Sequence, residues 1–313
     1  MNETENSLQV YLDQFLAALA HEDGYARNTV AAYRNDLNQL IEFLARREPP
    51  VTSWADVTAA DLGSFVDSLR SMKIAKRSGE EKPVAPSTIA RKVAALKSFF
   101  NYLTIKNVVT LDPSVSLEAP RVAKRTPKTM SSEEVERLLA APGTGNSPKT
   151  LRDRALLELL YATGVRVSEL VSFKMEDVNL TDKIMRVKSE DSGRERSVPM
   201  SEKAAECLQI YIERGRPHFV KSAGNQAALF LNQRGQQLTR QGMWLIIKEY
   251  ATRAGLNYDV TPHMLRHSFA AHMLQDNKAS LSEVQHYLGH ANISTTQIYV
   301  QPQPSAKLPE PEV

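Results

Sequence analysis

The stretch TPHMLRHSFAAHML, residues 261 to 274, sets three histidines and an arginine into an apolar pattern. Thr261 suits a helix N-cap, and Pro262 suits the first helical position, where a missing N–H costs nothing and φ is already set. The spacing predicts a helix from about Pro262 that buries Met264, Leu265, Phe269, Met273 and Leu274. His263 and Arg266 stand three apart in its first turns and project from one face. Free N–H groups and the positive end of the helix dipole lie beside them, a setting that attracts an anion such as phosphate. Two other readings stand next to this one. His263 and His267 have the four-residue spacing of a helical zinc pair, although no glutamate follows His263 and no acidic cluster accompanies the two. His267 and His272 also read simply as ordinary helix residues.

The segments around this helix extend the pattern. Downstream, SLSEVQHYLGH closes a helix at Gly289, and NISTTQIYV holds one more short helix. Upstream, TRQGMWLIIKEYATRAG is helical, whereas KIMRVKSEDSGRERSVPM loses the helical period. There Ile184, Arg186 and Lys188 alternate with Met185 and Val187, EDSG is turn material, and RERSVPM returns as the second arm of a β-hairpin. Before the hairpin, LRDRALLELLYATG is a largely buried helix ending at Gly164, and Ser168 with Glu169 suits another helix start. Ser131 and Glu134 form a capping-box pattern. These elements define a C-terminal domain over 130–300.

The first hundred residues read as helices. In NTVAAYRNDLNQLIEFLARRE, Asn28 is a cap, and Val30, Tyr33, Leu37, Leu40, Ile41 and Leu44 recur at helical spacing. A further helix fits from Ala59 to Leu69, and RSGEEKPVAP is a loop by its composition. A helix from Ser87 buries Ile89, Val93, Leu96, Phe100 and Leu103 and turns Arg91, Lys92 and Lys97 outward. The result is an all-helical domain over 1–116 with one basic face. Residues 117–129, LEAPRVAKRTPKT, carry two prolines with Arg121, Lys124, Arg125 and Lys128. Such a linker is either solvated or a hinge that tracks a phosphate backbone. Residues 301–313 form a proline-rich tail.

Composition sets wide bounds. The 313 residues, 42% hydrophobic and 24% charged, suit a globular protein of two domains. No run approaches membrane-spanning length, and MNETENSLQV has neither the basic nor the apolar region of a signal peptide, so a cytoplasmic location is expected. The single cysteine, Cys207, lies in a helical pattern and reads as a buried, inert thiol. A net charge of +3 is too mild to identify a nucleic-acid partner by itself.

Certain polar residues interrupt these elements: Arg166 after the glycine-ended helix, Lys188 on the hairpin, His263 with Arg266, His290 after Leu-Gly, and Tyr299. Two guanidinium forks and histidine donors can neutralise a pentavalent phosphorane, which is the dominant task in phosphoryl transfer. A tyrosine can serve as nucleophile and a lysine can protonate the departing oxygen. Arginines would then supply the charge that a metal supplies elsewhere.

The segments ATGVRVSEL, PHMLRHSFAAHML and VQHYLGHANISTTQIY closely resemble the three signature segments of tyrosine recombinases, particularly the Xer-type integrases. The resemblance spans nearly the whole chain, including the N-terminal helices, the hairpin and the LTRQGMW segment. It implies a mainly α protein, with an N-terminal helical, SAM-like core-binding domain and a C-terminal mixed α+β catalytic domain carrying a small hairpin sheet. It also implies roles. Arg166 and Arg266 would clamp the scissile phosphate, His263 would serve as a proton-transfer and phosphate-contacting group, His290 would bond the phosphate, and Glu169 would orient the site. Tyr299 would attack DNA to leave a 3′-phosphotyrosine and a free 5′-hydroxyl. Lys188 is the nearest candidate for the proton donor. Arg91, Lys92, Lys97, Arg121, Lys124, Arg125 and Arg240 would contact duplex DNA. The resemblance further implies four protomers at a paired synapse, a clamp of two domains around DNA, a cytoplasmic, nucleoid-associated setting, and no need for ATP, metal or other cofactor.

Two departures from the family pattern stand out. The tail VQPQPSAKLPEPEV carries four prolines, which oppose the helix that Xer members usually dock on a neighbouring protomer. The hairpin lacks the usual glycine-lysine-glycine turn: counting back from RER reaches Asp191, while counting forward from RV reaches Lys188 to Glu190. The alternatives are a type IB topoisomerase, with the same chemistry but no synapsis, a DNA-binding accessory protein without catalysis, which would have no use for Tyr299, and, more distantly, a zinc hydrolase. Dimer resolution, plasmid maintenance and element integration all remain open as tasks, as does the need for a partner recombinase or accessory protein.

Overall fold

A computed structural model describes residues 3–21, 25, 27–75, 79–122, 127–189, 193, 195–221, 227–290 and 292–299. The chain forms two compact units, Met1–Lys124 and Arg125–Val313. The first is built from α1 (Glu3–His21), α2 (Arg27–Ala45), α3 (Ala59–Ser71) and α4 (Pro86–Ile105). Their apolar stripes meet in a core of leucines around Trp54, Phe99 and Phe100, and the Trp54 indole donates to Leu8 O at 3.1 Å. Thr58 and Asp61 close a capping box on α3, and Pro86 opens α4. Helix α2 begins at Arg27, so Asn28 lies inside it rather than capping it.

Two further expectations for this unit need correction. The segment read as a loop contains β2 (Glu81–Pro83), which pairs antiparallel with β1 (Lys73–Ala75). Lys92 does not face outward. It is 6% exposed, and its ammonium binds Asp36 at 2.7 Å and Gln39 at 2.7 Å. A buried carboxylate on α2 needs a cation, and Lys92 supplies it together with Arg91, which pairs with the same Asp36 while staying half-exposed. Lys92 is therefore an internal strut, its ammonium committed to Asp36 and Gln39 and not turned outward. Lys97 and Arg121 are exposed, whereas Lys124 and Arg125 lie outside the described residues.

The second unit strings together α5 (Ser132–Ala140), α6 (Pro148–Thr163), α7 (Val167–Ser172), β3 (Val178–Asn179), β4 (Ile184–Lys188), β5 (Glu195–Pro199), α8 (Glu202–Ile210), α9 (Arg240–Arg253), α10 (Pro262–Gln275), α11 (Leu281–Leu288) and α12 (Ser294–Gln297). The expected hairpin is β4–β5, with Met185 opposite Val198 and Lys188 opposite Glu195. Strand β3, two residues long, adds a third antiparallel strand to it. Helix α6 is buried nearly all round and forms the spine of the unit. Cys207 is buried on α8, and burial raises its thiol pKa, as expected of an inert side chain. Among the described residues no helix is long and apolar enough to cross a membrane.

Candidate active site

Two helix ends create the floor of the site. Helix α6 stops at Gly164, whose φ of 58° is left-handed, and α11 stops at Gly289 with φ 63°. Helix C-termini leave carbonyl oxygens without intrahelical partners. Arg266, on α10, satisfies one at each end, donating to Gly164 O at 2.8 Å and to Leu288 O. Thr261 caps α10 by accepting from Met264 N–H, and Pro262 is its first residue, so the helix start that the sequence predicts sets the position of Arg266. The guanidinium is 5% exposed. Burial, and after it the nearby Arg166 cation, lowers its pKa to about 10, which still leaves it charged at neutral pH.

Arg166 is the N-cap residue of α7, directly after the Gly164 turn, and its side chain is 40% exposed toward solvent. Glu169 holds it from beneath: the carboxylate accepts from Arg166 N–H at 2.8 Å and from its guanidinium at 3.3 Å. The same carboxylate takes two bonds of 2.8 Å from Arg196 on β5, whose Nε donates to Tyr287 O. Burial alone would raise the Glu169 pKa. The hydrogen bonds and charge of Arg196, followed by those of Arg166, carry it below the ordinary carboxylate range instead. Arg196 thus ties the hairpin, α7 and the end of α11 into one block. The sequence reading gave Arg196 no role in the site; strand alternation with Val198, two residues on, places it on the inward face of the hairpin, but Glu169 as its partner lies too far away in sequence to be read.

The histidines divide. His263 is exposed at the start of α10. His290 follows Gly289; its Nδ1 pairs with the Thr296 hydroxyl at 2.9 Å, and its backbone carbonyl accepts from Gln285 at 3.1 Å. Burial, then Arg266 and Arg166, lowers its pKa to about 4, so the ring is neutral. His272 is a structural residue, as expected, linking the Tyr161 hydroxyl at 2.8 Å to Met130 O at 3.0 Å. His267 departs from that expectation, because its Nδ1 is hydrogen-bonded to the hydroxyl of Tyr299.

Tyr299 follows α12 and is 8% exposed, packed with Phe269, Val284 and Leu288. Burial raises its phenol pKa, and the Arg266 cation partly offsets the effect. Arg166, Glu169, Arg266, His290 and Tyr299 are therefore linked by contact or by electrostatic interaction. Lys188 is not part of that group. It is exposed at the end of β4 and pairs with Glu195 at 3.5 Å, and strand alternation puts it on the face opposite the buried Val187. Of the other hairpin positions that the counting reached, Ser189 is described, while Glu190 and Asp191 lie outside the described residues. Arg240 is exposed as the first residue of α9.

Two guanidinium groups at helix ends, a neutral histidine ring and a buried tyrosine make a site that can stabilise phosphoryl transfer. Residues 128–306 match the phage integrase family, and residues 12–107 match the phage integrase N-terminal SAM-like domain. The chain is 46% identical to the tyrosine recombinase XerC of Herpetosiphon aurantiacus over 93% of its own length and 90% of that protein. It is 41% identical to the tyrosine recombinase XerD of Vibrio cholerae, covering 96% and 94% of the two chains. In fold it is similar to the XerH site-specific recombinase bound to palindromic difH substrate, with TM-score 0.68, 21% identity and 96% and 93% coverage. The chain belongs to the phage integrase family and is a tyrosine recombinase.

Proposed function

We propose that this protein is a site-specific recombinase that cleaves and rejoins duplex DNA through Tyr299. Arg166 and Arg266 grip the scissile phosphate, His263 and the neutral ring of His290 donate to its oxygens, and Glu169 fixes Arg166. Tyr299 attacks phosphorus to give a 3′-phosphotyrosine and a free 5′-hydroxyl. The energy of the broken bond is kept in the new ester, so the reverse attack needs no ATP. The observation that carries this reading is the placement of Arg266: a buried cation fixed on two helix-end carbonyls, close enough to Arg166 and Tyr299 to perturb both its own proton affinity and that of the phenol.

Residues 1–116 and 130–300 act in this reading as the core-binding and catalytic domains, with the basic 117–129 segment between them on the DNA backbone. The active assembly is a tetramer on two paired sites in the cytoplasm, at the nucleoid. Its tasks are of the dimer-resolution or integration type, with a second recombinase or accessory protein as a further participant. The test is a denaturing gel with nicked duplex DNA in the presence of chelator. The parent should give a covalent protein–DNA band, and Tyr299→Phe should bind DNA normally but give none. A Phe variant that still becomes attached would overturn the nucleophile assignment. Arg166→Ala and Arg266→Ala should each slow cleavage by roughly 10²–10³ while changing binding much less, as loss of a transition-state donor does. Equal losses of binding and cleavage would make them DNA-positioning residues only.

A further inference from the structure

His267 follows Arg266 on α10, so its side chain leaves the helix roughly 100° further round and away from the guanidinium. There it meets Tyr299, 32 residues later in the chain: Nδ1 is hydrogen-bonded to the phenol oxygen, and the ring centroids lie 5.4 Å apart at 44°. Tyr299 is nearly enclosed, so bulk water has little access to its proton. A group that takes a proton must first be within hydrogen-bond reach of it. Among the described residues, His267 is the hydrogen-bond partner of this hydroxyl. We propose that His267 is the immediate proton acceptor of the nucleophile, a catalytic residue of the cleavage step in addition to the arginine–histidine–tyrosine set.

The charge environment fits this role. The groups facing the imidazole are His263 and Arg266 from its own helix and His290 and Tyr299 from the segment after α11. With burial, then His263 and Arg266, opposing a second cation, the ring is neutral in the resting protein and Nδ1 keeps its lone pair. A bound phosphate, and the further negative charge that develops on it, favours the imidazolium at the moment of attack. In the forward step the Oη–P bond forms and the P–O5′ bond breaks. The phenolic proton passes to Nδ1, and the departing 5′-oxygen takes a proton from a separate ammonium or water donor. In rejoining, the 5′-hydroxyl attacks phosphorus, the P–Oη bond breaks, and Nδ1 returns its proton to Tyr299.

The inference rests on Tyr299 being the nucleophile, and the experiment separates the two. His267→Asn offers an amide oxygen near the position of Nδ1, which preserves an acceptor but cannot hold a proton. In single-turnover cleavage of nicked duplex DNA by the full chain, this variant should be slower by about a hundredfold or more, with DNA binding and thermal midpoint close to the parent. A ring-fluorinated tyrosine at position 299, a more acidic phenol, should recover most of the lost rate in His267→Asn and change the parent little. Should the Asn substitution lower the thermal midpoint, His267→Gln serves for the same comparison. Parental cleavage by His267→Asn, or no recovery on fluorination, overturns the proposal. Adduct formation by Tyr299→Phe would instead remove the nucleophile assignment on which it depends.

Discussion

At the scale of single residues, the site is held by a few charges that burial makes demanding. Glu169 and Arg196 are 4% and 8% exposed in their side chains and share two 2.8 Å bonds, so each is costly to leave without the other. Breaking a buried pair by removing one partner typically costs about 3–5 kcal/mol. Arg196→Ala is therefore expected to lower unfolding stability by about that amount and also to slow cleavage, because Arg166 then loses the rigidity of its support. Denaturant unfolding with a loss under about 1 kcal/mol would show that the pair does not bind the hairpin to α7. The pH dependence has a definite sign. Glu169 has a lowered pKa in the folded protein, so its contribution is fully present above its ordinary value of 4.5 and is lost as pH falls through the lowered folded value. In Glu169→Gln that part of the acid destabilisation should vanish. An acid limb identical to the parent's would argue against the pair as its source.

At the scale of elements, local chemistry was the readable part of the sequence. Thr261 and Pro262, the Ser131–Glu134 box, and the glycines at 164 and 289 each announce an end of a helix through a backbone requirement that few residues meet. Gly164 shows how strict this is: φ is left-handed, and an added Cβ would lie 2.2 Å from the Phe269 ring. Gly164→Ala should destabilise by more than the roughly 1–2 kcal/mol of the left-handed conformation alone, and should impair cleavage by moving the carbonyl that holds Arg266. A variant as stable and active as the parent would remove Gly164 from the site's foundation. What stayed hidden depends on partners distant in sequence. His267 looks like any helix residue until Tyr299 returns beside it, and β1 and β2 are three residues each, with β2 exposed throughout and offering no alternation to find. Lys92 is intermediate. It stands three after Ile89 and four before Leu96, on the apolar stripe itself, so its burial was readable from the period, although Asp36 as its reason was not.

At the scale of the whole molecule, the placement of Lys92 changes the expected electrostatics of DNA binding. Each phosphate that a basic residue neutralises releases condensed counterions and steepens the fall of log K with log salt, by a slope of roughly 0.9 per contact on duplex DNA. An ammonium already committed to a buried carboxylate at 2.7 Å has no charge to offer a phosphate. Lys92→Ala should therefore leave the salt slope unchanged while costing the N-terminal unit about 1–3 kcal/mol, since one oxygen of Asp36 loses its partner. Lys97, Arg121 and Arg240 are exposed, and Lys124 and Arg125 are the last residue of the first unit and the first of the second in chain order. Replacing Lys124 and Arg125 together by alanine should flatten the slope by about one unit each, with little change in unfolding stability. The two measurements cross-check each other by equilibrium titration at a series of salt concentrations. A flattened slope in Lys92→Ala would mean that the ion pair with Asp36 opens on DNA. An unchanged slope in the double variant would mean that the basic segment at the junction of the two units is solvated and carries no phosphate contact.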